Sequence, residues 1–232
     1  MDQVSHLEAT VRVGHDARLV TWYRWSPTAT WVVIVEPGAT HDYLVPVIDQ
    51  LGAATYDPIG NGRSRHLPPD AIGRIGRNLA ADELAAILEA LPGPRRLVSH
   101  HSACIAALDI LALVPELLSE MVLVAPRLGP PPARLDPFAT EHASSPWHDA
   151  TRAWISADPR PLEHWRTEVA PSVRDALRVP ASTSTVAVRA LVDADDTEAR
   201  TLAETLGVPT EVFPGRDLAL ADSSRLVAAL AR

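Results

Sequence analysis

Short unbroken runs of apolar residues, each too brief for a helix in its own right, alternate along this chain with segments of helical period. Trp31-Val-Val-Ile-Val35 and Met121–Ala125 are such runs, rich in β-branched side chains. An unbroken apolar strand has both faces covered, as happens in the middle of a parallel sheet packed on each side by helices. Further strands are expected at Ala53–Tyr56, Arg96–Ser99, Val186–Val192 and Thr210–Phe213. Leu44, Val47, Ile48 and Leu51 recur at helical spacing within Asp42–Leu51. So do Leu79, Leu84, Ile87, Leu88 and Leu91 within Asn78–Leu91, before the stop signal Pro92-Gly93-Pro94. Helices also fit Ala103–Val114, Thr197–Leu206 and Ser223–Leu230. Strands and helices in alternation predict an α/β fold, a mostly parallel sheet with helices on both faces.

Two departures from this rhythm set the domain organisation. At the start, Leu7–Val13 and Arg18–Trp25 alternate polar and apolar residues around Gly14, which predicts an antiparallel hairpin. In the middle, 127–185 opens with Gly129-Pro130-Pro131-Pro132 and carries Trp147, Trp154 and Trp165 in helix-compatible stretches. It is expected to be a helical cap inserted between two parts of one core domain, 1–126 and 186–232. A chain of 232 residues suits a single α/β domain of this kind. The single cysteine, Cys104, excludes an intramolecular disulfide. The net charge of −8 argues against nucleic acid and against an anionic membrane as partners. Lysine is absent, which excludes Schiff-base catalysis by this chain. Neither a signal peptide nor a membrane-spanning run is expected, so the protein is placed in the cytoplasm with a small molecule as its partner.

Ligands of such sheets bind beyond the carboxyl ends of the strands. The loops of interest therefore start at Glu36, Asp57, His100, Pro126 and Asp193. Asp57-Pro-Ile-Gly60-Asn-Gly62-Arg-Ser64 resembles the D-x-x-G-x-G-x-S stretch of the α/β-hydrolases. Leu97-Val98-Ser99-His100-His101-Ser102-Ala103-Cys104 resembles their nucleophile elbow, a strained turn between strand and helix that exposes its central side chain. The chain is thereby identified as an atypical member of that fold superfamily. Without gaps, His101 falls on the nucleophile, and Ser99 and Ala103 fall on two glycines of the motif. Val114-Pro115-Glu116 and Met121–Pro126 keep the same register. A one-residue slip would instead put Ser102 at the apex. The stretch Val188–Asp196 resembles the strand and loop that present the triad acid, with Asp195 or Asp196 in that place. An aspartate ahead of Thr197 is equally suited to capping the next helix.

The resemblance breaks at the other triad positions. The family's histidine follows the last strand, where this chain reads Phe213-Pro214-Gly215-Arg216-Asp217-Leu218, and no histidine occurs after His164. Without that imidazole a hydroxyl at the elbow lacks a base in the standard place, and losing one triad member removes most of the rate. At the oxyanion loop the usual His-Gly is replaced by Glu36-Pro37, and Pro37 has no N–H to donate. Glu36 reads either as an acid whose pKa is raised by apolar surroundings or as a strand-end carboxylate held by backbone amides.

Glu36, His41, His100, His101, Ser102 and Asp196 are thus expected at one mouth, with cap residues His142, His148 and His164 in reach. An exposed His101 moves protons near neutral pH. His101, Glu36, Ser102 and Asp196 are the catalytic candidates. His41, His100, Trp147 and Trp154 are the substrate-binding ones, with His100 packing under the elbow and the tryptophans forming either an aromatic wall or cap packing. No cofactor is expected, because no G-x-G-x-x-G follows a strand. No metal is expected either, because adjacent histidines diverge. The resemblance implies a cofactor-free, non-hydrolytic enzyme, since relatives with altered elbows act as isomerases, epimerases, cyclases and oxygenases, often in specialised metabolism. Two other readings stay open: a non-catalytic ligand-binding pseudoenzyme, and a hydrolase in which Ser102 attacks with a displaced base.

Overall fold

The computed structural model describes residues 5–13, 17–25, 29–35, 41–57, 77–91, 93–127, 186–214 and 222–232. Among them, eight strands form one sheet: β1 (Ser5–Val13), β2 (Ala17–Trp25), β3 (Trp31–Ile34), β4 (Ala54–Tyr56), β5 (Arg95–His100), β6 (Leu118–Val124), β7 (Ala187–Asp193) and β8 (Thr210–Phe213). Their order is β1-β2-β4-β3-β5-β6-β7-β8. β1 and β2 make the expected antiparallel hairpin, and β2 meets β4 antiparallel. From β4 to β8 every pairing is parallel, so all six of those strands end on the same edge.

The unbroken apolar runs are explained by two cores, one on each side of the sheet. Val32 and Ile34 of β3, Leu97 of β5, and Met121 and Leu123 of β6 face one side. There they meet the helices α2 (Arg77–Ala90), α3 (Cys104–Leu113) and α4 (Thr197–Leu206). Trp31, Val33, Val98, Val122 and Val124 face the other, against α1 (Val45–Leu51) and α5 (Ser223–Leu230). Side chains alternate along a strand, so a strand with helices on both sides is apolar at most of its positions. Leu84, Ile87 and Leu88 of α2 and Leu108 and Ile110 of α3 are fully buried. Each such side chain contributes about 1.5–3 kcal/mol relative to staying in water.

The largest departures from the expected boundaries are at the starts of α1 and β6. The segment expected as one helix from Asp42 opens as a tight 3-10 turn, His41–Leu44, and becomes α-helical only at Val45. Pro46 sits in that helix's first turn, where its missing N–H costs nothing. β6 begins three residues earlier than its apolar run, at Leu118, and ends before Ala125, which takes φ +43°. Gly52 ends α1 at φ +57°, a left-handed cap that a side chain would strain. No helix among the described residues is long and apolar enough to cross a membrane. The proposed cap, apart from Arg127 at its start, lies outside the described residues.

Candidate active site

The carboxyl end of β5 carries the turn singled out in the sequence. β5 runs to His100, residues 101–103 form one 3-10 turn, and α3 starts at Cys104. The backbone turns at His101, which has φ +51°. For a residue with a Cβ this left-handed conformation costs roughly 1–2 kcal/mol. Histidine is among the side chains found there more often than most. Such strain persists only where surrounding structure imposes it, and it clusters at functional sites. Here the turn is fastened twice: the Cys104 N–H donates to the His101 carbonyl, and the Arg127 N–H donates to the same oxygen at 3.3 Å. Ser99, fully buried, and Ala103 flank the turn closely, as two small residues must. Ser102 lies one residue past the left-handed position, inside the 3-10 turn and buried. The strained apex therefore belongs to residue 101.

His101 is buried, at 4% exposure, and not the exposed imidazole expected from the sequence; its ring stacks on its neighbour. The rings of His100 and His101 lie 3.7 Å apart, tilted by 32°. His100 is 3% exposed. Burial, then the adjacent His101 and the Arg127 guanidinium, hold its pKa well below the ordinary imidazole value. His100 is accordingly a neutral ring packed beneath the apex.

Two strands away, the loop after β7 carries Asp196. One carboxylate oxygen accepts the Ala199 N–H at 3.0 Å and caps α4. The other accepts from Arg127 Nη2 at 2.8 Å, with both side chains largely buried. Of the two roles open to this aspartate in the sequence, helix cap and triad acid, the cap is the one its bonds display. Arg127 was missed in the sequence, where it reads only as the first residue of the cap. It bonds Asp196 through its side chain, holds the elbow through its N–H, and accepts the Cys104 thiol at 3.1 Å through its carbonyl.

His41 sits at the same edge. Asp57 Oδ1, at the end of β4, accepts both from His41 Nδ1 at 2.7 Å and from the His41 backbone N–H at 3.1 Å. Both residues are buried, at 4% and 1% exposure. His41 Nε2 lies 3.7 Å from the half-exposed Asp42 carboxylate. Asp57 was expected in the sequence as the start of a loop at the sheet's carboxyl edge and as part of a glycine-rich motif, with no partner. A carboxylate directly after one strand and an imidazole opening the helical turn that follows the neighbouring strand were the signal that could have paired it with His41.

The chain is similar in structure to a serine hydrolase involved in carbazole degradation, at 14% identity and TM-score 0.67, with 98% of each chain covered. It is also similar to the thioesterase domain from the curacin biosynthetic pathway, at 13% identity and TM-score 0.66, covering 98% of this chain and 100% of that one. A third is the proline iminopeptidase of Mycobacterium smegmatis, at 16% identity and TM-score 0.64, covering 97% and 96%. This chain has the α/β-hydrolase fold. No family model and no curated protein sequence matches it.

Within the α/β-hydrolase fold, the elbow is the place from which a central side chain reaches a bound molecule. Among the described residues the edge brings together His101, Ser102 and His100 at the elbow, His41 and Asp57 beside them, and Asp196 in its ion pair. Glu36, Trp147 and Trp154 lie outside the described residues, as do His142, His148, His164 and Trp165. Among the described residues no cluster of three or more His, Cys, Asp or Glu side chains is arranged to hold a metal ion.

Proposed function

We propose that this chain is a cofactor-free, non-hydrolytic enzyme of the cytoplasm. It moves protons on a small, largely apolar metabolite, with His101 as the acid/base, and so isomerises, epimerises, cyclises or dehydrates a carbonyl compound of specialised metabolism. The observation that carries the proposal is the left-handed backbone at His101, which raises an imidazole where the elbow of an α/β-hydrolase fold ordinarily raises a nucleophile. A neutral imidazole takes a carbon-bound proton next to a carbonyl, and the electron pair moves onto the carbonyl oxygen. The N-terminal end of α3 lies beside the elbow, and its positive partial charge suits that oxygen. The returning proton comes from an imidazolium. Supporting the exclusion of acyl transfer are the chain beyond His164, which contains no histidine, and Asp196, whose carboxylate is engaged by Ala199 and Arg127.

The test needs no natural substrate. 5-Nitrobenzisoxazole opens its ring on loss of one carbon-bound proton. Wild-type protein should turn it over, and His101→Ala should lower the rate by about a hundredfold or more with the fold intact by circular dichroism. A fluorophosphonate should leave Ser102 unlabelled. A second reading, a hydrolase acting through Ser102, is favoured by the hydrolases among the similar structures. A fluorophosphonate adduct on Ser102 of the folded protein, with unchanged ring opening in His101→Ala, would replace the first reading with the second.

A further inference from the structure

We propose that His41 and Asp57 form a second proton-transfer dyad at the mouth occupied by His101, so that the reaction uses two imidazoles rather than one. The inference rests on the assignment of His101 as acid/base.

The tautomer follows from the bonding. Asp57 Oδ1 accepts the His41 backbone N–H, so it is an acceptor, and the 2.7 Å contact to His41 Nδ1 requires the proton on that nitrogen. Proton exchange is thereby assigned to Nε2. A buried carboxylate that fixes an imidazole through Nδ1–H is the device that holds a catalytic histidine in its working tautomer and stabilises its imidazolium form. A carboxylate placed only to pin the turn entering α1 needs the backbone N–H and nothing more. Here the imidazole adds a short side-chain bond at a site where both groups have been taken out of water.

Position supports a shared mouth. Thr55 of β4 lies beside Val33 of β3, and Ser99 of β5 lies beside Ile34. Continuing both registers sets Asp57 and His100 on either side of Val35. The two are then separated by two interstrand spacings, on the order of 10 Å. His41 is bonded to the first of these residues and His101 follows the second, so the two imidazoles belong to neighbouring positions of one sheet edge, where a small carbonyl compound can meet both. One imidazole accepts a carbon-bound proton as the electron pair moves onto the carbonyl oxygen. The other, as imidazolium, returns a proton to carbon as that pair moves back. Each turnover leaves one ring protonated and the other neutral, and exchange with water resets them. No oxidant or reductant is consumed. Two bases favour epimerisation or allylic isomerisation over dehydration among the reactions open to His101.

The experiment uses the full chain and 2-bromoacetophenone, an apolar carbonyl compound that alkylates an imidazole nitrogen with loss of bromide. Adducts are mapped by peptide mass. Labelling is expected at His41 and at His101, with doubly labelled chains much rarer than independent sites would give. Asp57→Asn should slow labelling at His41 about three- to tenfold, because the carboxylate raises the basicity of the opposite nitrogen, and should leave His101 unchanged. The wild-type pattern decides the matter alone if Asp57→Asn does not fold. Labelling of His101 without His41 overturns the dyad and leaves the proposed function standing. So does labelling of both at independent frequencies, which makes them separate sites. Labelling of His41 without His101 removes the apex imidazole from the chemistry, and the two-base scheme falls with the proposed function.

Discussion

Two corners of the same sheet edge have gone opposite ways. At the end of β5 the backbone holds His101 at φ +51°, a conformation that costs free energy, under two hydrogen bonds to one carbonyl. At the end of β7 the loop that in this fold presents an acid is relaxed, and Asp196 caps α4 and pairs with Arg127. Nothing at the second corner is strained, and each Asp196 oxygen has a structural bond. Left-handed backbone is found at His101 and at Ala125, at the ends of β5 and β6, and not at Asp196; of the three, only His101 joins that backbone to a titratable side chain. Arg127 joins the two corners, because its side chain belongs to one and its main chain to the other. The comparison therefore predicts that substitutions at the first corner act on chemistry and substitutions at the second act on stability.

The largest expected effect is the one on proton transfer. His101→Ala should lower ring opening of 5-nitrobenzisoxazole by about a hundredfold or more, beyond what the loss of a buried, stacked ring does to the urea midpoint. His101→Gly sharpens the distinction. Against His101→Ala, which also lacks the imidazole, glycine removes a left-handed penalty of roughly 1–2 kcal/mol and adds an entropic cost of roughly 0.5–1 kcal/mol, so His101→Gly should be as inactive and slightly more stable than His101→Ala. Equal or lower stability of His101→Gly than of His101→Ala, measured by urea unfolding, would mean that the turn carries no strain and would remove the contrast between the corners.

Next in size is the acid corner. Asp196→Ala removes a helix cap and leaves the Arg127 guanidinium without its carboxylate in a largely buried place. The cap alone is worth about 1 kcal/mol, and the orphaned charge raises the total to about 2–3 kcal/mol. Asp196→Asn retains an acceptor for the Ala199 N–H and should lose less. Arg127→Met with Asp196→Asn should recover part of the loss, since replacing both partners of a pair costs less than removing one. Urea midpoints of the three variants read this directly. A large fall in ring-opening rate in Asp196→Asn at unchanged stability would return Asp196 to the chemistry.

The fold was legible in the sequence because it depends on period and position alone. Runs such as Trp31–Val35 report burial on two faces, and the two separate cores on either side of β3 bear this out. Thr197–Leu206, Thr210–Phe213 and Ser223–Leu230 have the same ends in sequence and structure, since a capping aspartate or a turn bounds them. The elbow was legible through its small flanking residues. Partners were not. Asp196 suited a cap and a triad acid equally, and only the position of Arg127, 69 residues away along the chain, separates the two. Asp57 and His41 stand 16 residues apart on successive segments, and spacing alone does not say that one imidazole nitrogen meets that carboxylate.

A smaller effect concerns pH. His100 is buried beneath the apex, and burial holds its pKa well below the ordinary imidazole value. The unfolded chain therefore binds a proton that the folded chain rejects as pH falls through the unfolded value. Stability from this group is fully present above about pH 6.5 and declines below it. Urea midpoints should fall on going from neutral to mildly acidic buffer, and His100→Asn should flatten that part of the profile. An identical slope in wild type and variant would assign the acid sensitivity to other groups and leave the ring beneath the apex without an electrostatic consequence.

The smallest effect is expected at Cys104, which links the corners through its bond to the Arg127 carbonyl. Its place, directly after the turn and at the start of a helix, is one where a thiol is often activated. Burial acts in the other direction and is the largest influence on it. The pKa is pushed up to about 12, and the bond to the Arg127 carbonyl is one that only the protonated thiol donates. The thiol is fully buried and stays protonated at neutral pH. Iodoacetamide should not label Cys104 in the folded protein and should label it once urea unfolds the chain. Cys104→Ser keeps the size and the donor to Arg127 and should leave ring opening within about twofold, with a loss of stability of about 1 kcal/mol from burying a more polar hydroxyl. Rapid labelling of the native thiol would show that the segment joining the two corners opens readily, and the elbow would then lack the rigid support its strained backbone requires.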